Sequence, residues 1–279
     1  MLDRLAVHWT RFLRARRSVI LCYHGVGPTT TQIDPGFLRV RPDAFRAQLE
    51  LLRGSDFEFV TVSEFVERSD GREPLPGLVA LTFDDGMDDN HSFVLPILRE
   101  YGITATFYVT TGLIGQPNPW MAMDSGVRMM TVPELHDLVA AGFEIGAHSV
   151  THPNLSKLDY DGCFREAIES RLTLEQVLGI SVRSFAYPFC HYGPAALSAV
   201  RAAGFSTAVT CGTGVGSWSA YELRRTNITG KDGMPGFLLK LASLHRPIFS
   251  SPPGRLVRAT TRGFRKRRRA RLEARRGDR

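Results

Sequence analysis

The 279-residue chain has no run of about 18 apolar residues, the length a helix needs to cross a bilayer. Cysteine is scarce: Cys22, Cys163, Cys190 and Cys211, with no two at CxxC spacing. That leaves no zinc ribbon and no dithiol redox motif. Cys22 and Cys163 fall in patterns of a core strand and a helix and read as reduced, buried thiols; a disulfide framework is not expected at this size. The first residues lack the uninterrupted apolar stretch of a signal peptide, because Arg4, His8, Arg11 and Arg14 break it, so the expected location is cytoplasmic. The body also lacks excess positive charge. Twelve of the 35 Lys/Arg and two of the 28 Asp/Glu lie in residues 254–279, which leaves 23 basic and 26 acidic residues, a net of −3. The overall +7 is a property of the tail, and it gives a nucleic-acid function of the body no support.

The two ends differ from the middle. Residues 2–16 place Leu2, Leu5, Trp9, Phe12 and Leu13 at helical spacing among arginines. Such a basic amphipathic helix either covers the core or lies on an anionic membrane surface. The arginine-rich tail is a disordered solubilising end or an arm for anionic lipid or polyanion. The expected layout is a helix over 1–17, a main domain over 18–249 and a tail over 250–279, with peripheral contact at the inner membrane face as the alternative to a purely cytoplasmic protein.

Between the ends, seven apolar runs read as strands: 18–23, 78–83, 104–109, 143–147, 184–187, 205–210 and 223–228. Helical spacing fills the gaps at 42–53, 88–101, 131–141, 159–178, 194–203 and 235–244. Gly102 and Gly204 serve as stops, Ser63 as cap of a short helix, and Thr131 with Glu134 as a capping box. Alternation of this kind implies parallel strands joined by helical crossovers, and seven units is close to a barrel. The fold class is α/β, a (β/α) barrel of about seven parallel strands. Residues 112–130 form a loop long enough for a lid or insertion.

Thr82-Phe83-Asp84-Asp85-Gly86 ends one of these strands in two adjacent carboxylates. Neighbours on a strand point to opposite faces, so the two share a site only if the backbone turns, which Gly86 permits. His148 and His152 follow another strand, and they converge if the backbone between them makes one helical turn. Both motifs fall at the C-terminal ends of strands, where a barrel places its active site. Two histidines and one carboxylate make a three-ligand site for zinc or a similar divalent ion, with a position left for water. The second carboxylate is then free to act as general base.

These two motifs, with Phe185-Ala186-Tyr187-Pro188-Phe189, resemble the first three motifs of the polysaccharide deacetylases of the NodB-homology type (carbohydrate esterase family 4), over about Ser18 to Ile228. The resemblance implies a distorted (β/α) barrel and hydrolysis of N-acetyl, sometimes O-acetyl, groups of a polysaccharide, oligosaccharide or lipid-linked sugar. It implies Asp84 as base, Asp85, His148 and His152 as metal ligands, and a metal-bound water attacking the acetyl carbonyl. The Phe189 N–H would help hold the oxyanion, with Tyr187 and Pro188 at the substrate. Two positions depart from the pattern. Ala186 stands where many members carry an arginine that pairs with the base, and Cys190 where glycine is frequent. The family's late histidine acid has no clean match: His245 reads as structural, and His24, ending the first strand, is the candidate acid. Tyr-His at that place is similar to an exopolysaccharide-linked subgroup. His91 reads as structural, and Trp120 and Trp218 as loop aromatics for a sugar face or for packing. The competing functions are a metal-dependent amidase on a non-sugar carbon–nitrogen bond and a non-catalytic glycan-binding module.

Overall fold

The computed structural model describes residues 10, 18–30, 32–69, 76–122, 126–211 and 219–241. The amphipathic helix expected over 2–16, Trp218, His245 and the tail lie outside them. The chain divides into residues 1–238 and 239–279. In chain order the elements are β1 (Val19–Tyr23), β2 (Gly25–Val26), β3 (Arg39–Val40), α1 (Pro42–Gly54), β4 (Glu58–Val60), α2 (Val62–Glu67), β5 (Leu78–Phe83), α3 (Leu95–Tyr101), β6 (Thr106–Val109), α4 (Val132–Ala140), β7 (Glu144–Ala147), α5 (Tyr160–Leu178), β8 (Ser184–Ala186), α6 (Pro194–Ala202), β9 (Thr207–Cys211), β10 (Leu223–Asn227) and α7, which begins at Met234.

All seven expected strands are present, and they close into one ring. β1 pairs with β5, and the series runs on through β6, β7, β8, β9 and β10 back to β1, every pairing parallel. The distortion has a visible cause. β4, too short to be found from sequence, pairs with Leu78–Ala80 of β5, while β6 pairs with Thr82 and Phe83 of the same strand. β4 therefore takes up the N-terminal half of β5, leaving only the C-terminal end of that strand for β6.

Period-two alternation decides what lies inside. Ile20, Leu78, Ala80, Tyr108, Ala186, Val209 and Leu223 form a single buried cluster with Val62 and Phe65 of α2, which closes the N-terminal end of the barrel. The opposite parity faces the helices. There Tyr23, Phe83 and Phe107 stack in a row, with Phe45 of α1 and Phe143 packed edge-on. Gly146 is on the inner face because nothing larger fits: a Cβ there would stand 2.5 Å from the Tyr108 ring and 2.9 Å from the Ser184 carbonyl oxygen.

Three local expectations change. α2 is capped by Thr61, not Ser63, in a reciprocal box with Glu64. The Ser63 hydroxyl instead donates to Glu144, whose Oε2 also accepts the Val62 N–H at 3.0 Å and the Thr106 hydroxyl at 2.6 Å. The helix expected over 88–101 opens as a wider π turn, Asn90–Val94, before α3. Pro96 lacks the N–H that would continue a regular ladder there. The Thr131–Glu134 box at α4 and the Gly102 stop of α3, at φ 62°, are as expected.

Gly146→Ala should destabilise the barrel by about 1–3 kcal/mol through overpacking against Tyr108. Urea unfolding checks this; an unchanged midpoint would mean that the Tyr108 ring moves aside freely.

Candidate active site

The inward parity that builds the core below continues into the mouth above. Ile20 leads to Cys22 and His24, Ala80 to Thr82 and Asp84, Gly146 to His148, and Leu223 to Arg225. The last residues of these strands are therefore polar side chains pointing at one another inside a barrel.

Asp84 and Asp85 separate at this point. Asp84 continues the strand, its N–H donating to the Tyr23 carbonyl at 2.9 Å. Arg225 Nη1 and Nη2 each donate to one of its oxygens at 2.6 Å, and the Cys22 thiol approaches Oδ2 at 3.5 Å. Arg225 is fully buried, and Asp84 keeps only a small exposed edge. Burial alone would raise the Asp84 carboxyl; the Arg225 guanidinium, aided by His148, overrides it and holds the group well below the usual carboxylate range. Arg225 was not singled out from sequence. The signal was available: a charged residue at an inward position of a buried strand, two places after Leu223.

Asp85 takes a left-handed conformation, φ 75°, and Gly86 follows at φ 87°. The chain therefore turns, and Asp85 Oδ1 lies 3.4 Å from both His148 Nε2 and His152 Nε2. One ligand atom from each of the three lies within 4.8 Å of the others. His148 Nδ1 is 2.8 Å from the Ala186 carbonyl oxygen, to which it can only donate, so the tautomer is set and Nε2 faces the carboxylate with its lone pair. Burial pulls His148 down, but the carboxylates of Asp85 and Asp84, which favour a second proton on the ring at Nε2, lift it above its ordinary value. His152 is pushed down to about 4 by burial and by His148, so its ring is neutral at pH 7. Burial works against Asp85, yet its histidine partners keep it ionised, lowering it below the ordinary value. A buried carboxylate facing two imidazole nitrogens, none at ideal hydrogen-bond length, is a donor set that suits a divalent cation. The residues expected as ligands fit that group.

The route by which the histidines converge differs from expectation. No helical turn joins them; Ser149 and His152 are both left-handed, at φ 65° and 57°. Glu166 of α5 holds the loop by accepting the Val150 and Thr151 N–H groups at 2.8 and 2.9 Å, and the Ser149 hydroxyl accepts the His152 N–H at 3.0 Å.

The third motif forms the rim. Phe189 and Cys190 are again left-handed, at φ 54° and 58°, in a tight turn over Pro188–Cys190. The Phe189 ring, 54% exposed, stands 4.5 Å from the His152 ring, and Trp120 meets the same ring at 4.8 Å. Tyr187 and Pro188, expected at the substrate, lie behind this rim. Both are buried, and Tyr187 stacks on Tyr192 with its hydroxyl donating to the Tyr221 carbonyl. Ala186 belongs to the core cluster, and its missing guanidinium comes from Arg225 instead. His24 shares a 4.8 Å neighbourhood with Cys22 and Asp84, and its Nδ1 is buried without a partner among the described residues. That trio is a poor cation site, because both Asp84 oxygens are occupied by a guanidinium. His91 bonds Asp137 at 2.9 Å on the surface, a structural role. A single disulfide joins Cys190 to Cys211, where no disulfide framework was expected, while Cys22 and Cys163 are free and buried as expected. The sequence hides this bond because its partners lie on separate elements that only the barrel brings together.

Residues 71–208 match the sequence profile of the family described as polysaccharide deacetylase. YxkH of Bacillus subtilis (strain 168), by name a candidate polysaccharide deacetylase, is 24% identical over 231 residues, 82% of this chain and 76% of that protein. The poly-beta-1,6-N-acetyl-D-glucosamine N-deacetylase of Staphylococcus aureus (strain MRSA252) is 30% identical over 120 residues, 42% of this chain; the chain thus spans only 39% of that relative. Among solved structures, the Streptococcus pyogenes deacetylase PplD in complex with acetate superposes with a TM-score of 0.66 at 26% identity, covering 80% of this chain and 97% of that one.

Arg225→Met should destabilise the protein by about 3–5 kcal/mol at pH 7, because Asp84 is left as a lone buried charge. The deficit should shrink as pH falls from 7 toward about 4, because burial raises the unpaired carboxyl in the folded variant and its penalty is lost by the time the unfolded carboxyl also takes up its proton. In the parent protein the sign is opposite: the pair's contribution is present above that pH and is lost as pH falls through the depressed folded value. Urea midpoints of both proteins at pH 7 and pH 4 check this. A deficit that did not change with pH would place the loss in packing, not charge.

Proposed function

We propose, because this chain belongs to the polysaccharide deacetylase family, that it hydrolyses N-acetyl groups of an acetylated glycan with Asp84 as general base. A divalent cation, zinc first, would be held by Asp85, His148 and His152. The observation that supports this most is the division of labour between two adjacent carboxylates. One is clamped by a guanidinium and the other faces two imidazoles, so only the second has charge free for a cation.

When bound, the cation would acidify a water and polarise the acetyl carbonyl. The chain's own residues do the rest. Asp84 takes the proton of the attacking water. A carboxylate held this low is a weak base in isolation, so it acts only on a water that has itself been acidified. That makes base and cation interdependent. Arg225 keeps the Asp84 oxygens ionised and fixed in direction. The Phe189 N–H, at the rim of the same mouth, would donate to the oxygen that gains charge as the carbonyl becomes tetrahedral. His24, beside Asp84, is the group left to protonate the departing amine. Phe189 and Trp120 flank His152 and offer apolar faces to a sugar ring or acetyl methyl.

The staphylococcal relative supports a poly-N-acetylglucosamine type of substrate; lipid-linked and O-acetylated sugars are the alternatives within the same chemistry. The binding-module reading loses its main motive, because Arg225 supplies the charge that Ala186 lacks. No helix among the described residues is long and apolar enough to cross a membrane. Contact with anionic lipid through the terminal segments, and a cytoplasmic location against an oxidising compartment, belong to this proposal. The Cys190–Cys211 bond favours the oxidising one.

The test is acetate release from N-acetylglucosamine oligomers and a panel of lipid-linked N-acetylated sugars, with zinc and with chelator. Release should be chelator-sensitive. Asp84→Asn should lower turnover by about 10²–10⁴-fold with metal retained, and His148→Ala should lose the metal as well. Full turnover in Asp84→Asn would remove the base assignment. Stoichiometric zinc without acetate release from any sugar would favour the amidase or the binding module.

A further inference from the structure

The disulfide between Cys190 and Cys211 lies where two parts of the site meet. Cys190 follows Phe189, and both hold left-handed backbone conformations. For non-glycine residues such conformations cost about 1–3 kcal/mol each and persist only where the surroundings impose them. The turn's own hydrogen bonds are few. The Cys190 N–H donates to the Tyr187 carbonyl at 2.9 Å, the His191 N–H to the Pro188 carbonyl at 3.1 Å, and the Thr210 hydroxyl to the Cys190 carbonyl at 3.3 Å. The covalent tie runs from this turn to Cys211, the last residue of β9. Cys211 Sγ is also 3.9 Å from Arg225 Nη2, the nitrogen that donates to Asp84 Oδ2. One bond therefore touches the rim turn on one side and the arginine that fixes the base on the other. Both cysteines are half-buried, within reach of a small reductant.

We propose that the Cys190–Cys211 disulfide is a positioning element for the Phe189 turn, so that hydrolysis requires the oxidised pair and a dithiol reductant switches it off. This rests on the deacetylase reading above. A glycine at position 190 would adopt its φ of 58° without strain; a cysteine needs the tie. Reduction is a two-electron, two-proton exchange. One thiolate of the dithiol attacks a cysteine sulfur and breaks the S–S bond, giving a mixed disulfide. Its second thiolate then displaces the protein sulfur, leaving a cyclic disulfide of the reductant and two protein thiols.

Protein purified without reductant should show two free thiols in denaturant, Cys22 and Cys163, and four after dithiothreitol. Hydrogen–deuterium exchange should then speed up by about tenfold or more at the amides of residues 189–191, with the barrel strands unchanged. Turnover on an N-acetylglucosamine oligomer should fall by about 10²–10³-fold with little change in KM, since a single oxyanion donor is worth that order. Cys190→Ser should match the reduced protein. Cys190→Gly should recover part of kcat and be indifferent to reductant. Four free thiols before reduction, or equal exchange and equal kcat in both states, would overturn the proposal. Faster exchange at the turn without acetate release in either state would retain the positioning role and sink the deacetylase reading instead.

Discussion

Two oxygens of Asp84 meet two nitrogens of Arg225 at 2.6 Å, inside a barrel where the guanidinium is fully buried and the carboxylate nearly so. A carboxylate in that place would otherwise be neutral, and a guanidinium would not be tolerated alone. Together they let a charged carboxylate sit at the ends of strands whose lower halves are a hydrocarbon core. The pair also settles which of two adjacent aspartates faces the histidines. Asp84 is committed, so Asp85 is the carboxylate with charge to spare, and the left-handed turn at Asp85 and Gly86 aims it across the mouth.

Much of this was legible in advance. The seven strands, their alternation with helices and the closing motifs could be read because burial on a parallel sheet writes itself as short apolar runs. Asp84, Asp85, His148 and His152 were legible because strand ends in such folds are where polar residues can gather. What escaped has a shared cause: it depends on contacts distant in sequence. Arg225 lies far from Asp84 along the chain, and only barrel closure makes them neighbours. Glu166 shapes the His148–His152 loop from a helix whose spacing gives no hint of it. The Cys190–Cys211 bond joins a turn to a strand end. β4 was missed for another reason, since three residues carry too little periodicity to be recognised.

The site is also built from backbone that resists being built. Asp85, Ser149, His152, Phe189 and Cys190 all occupy the left-handed region without being glycine. They are the turn that carries the Asp85 carboxylate, the loop that carries His148 and His152, and the rim. Each is held from outside its own segment, by the Asp85 carbonyl accepting the Thr110 N–H, by Glu166, or by the disulfide. Strain concentrated this way means that geometry at the mouth is maintained by neighbouring elements, while the strands below remain regular.

Ring closure has a consequence for how the chain is made. β1, near the start, acquires its second neighbour only from β10, through the pairs Leu21–Thr226 and Cys22–Asn227. β10 is also the strand that carries Arg225. During synthesis, every residue up to β9 emerges before Asp84 can gain its counter-charge. A nascent barrel is thus open and electrostatically unbalanced at once, and a single late strand cures both faults. Sealing the ring and pairing the Asp84 carboxylate are one event, so a chain stalled or cut before Leu223 carries neither a closed ring nor a balanced charge at its mouth.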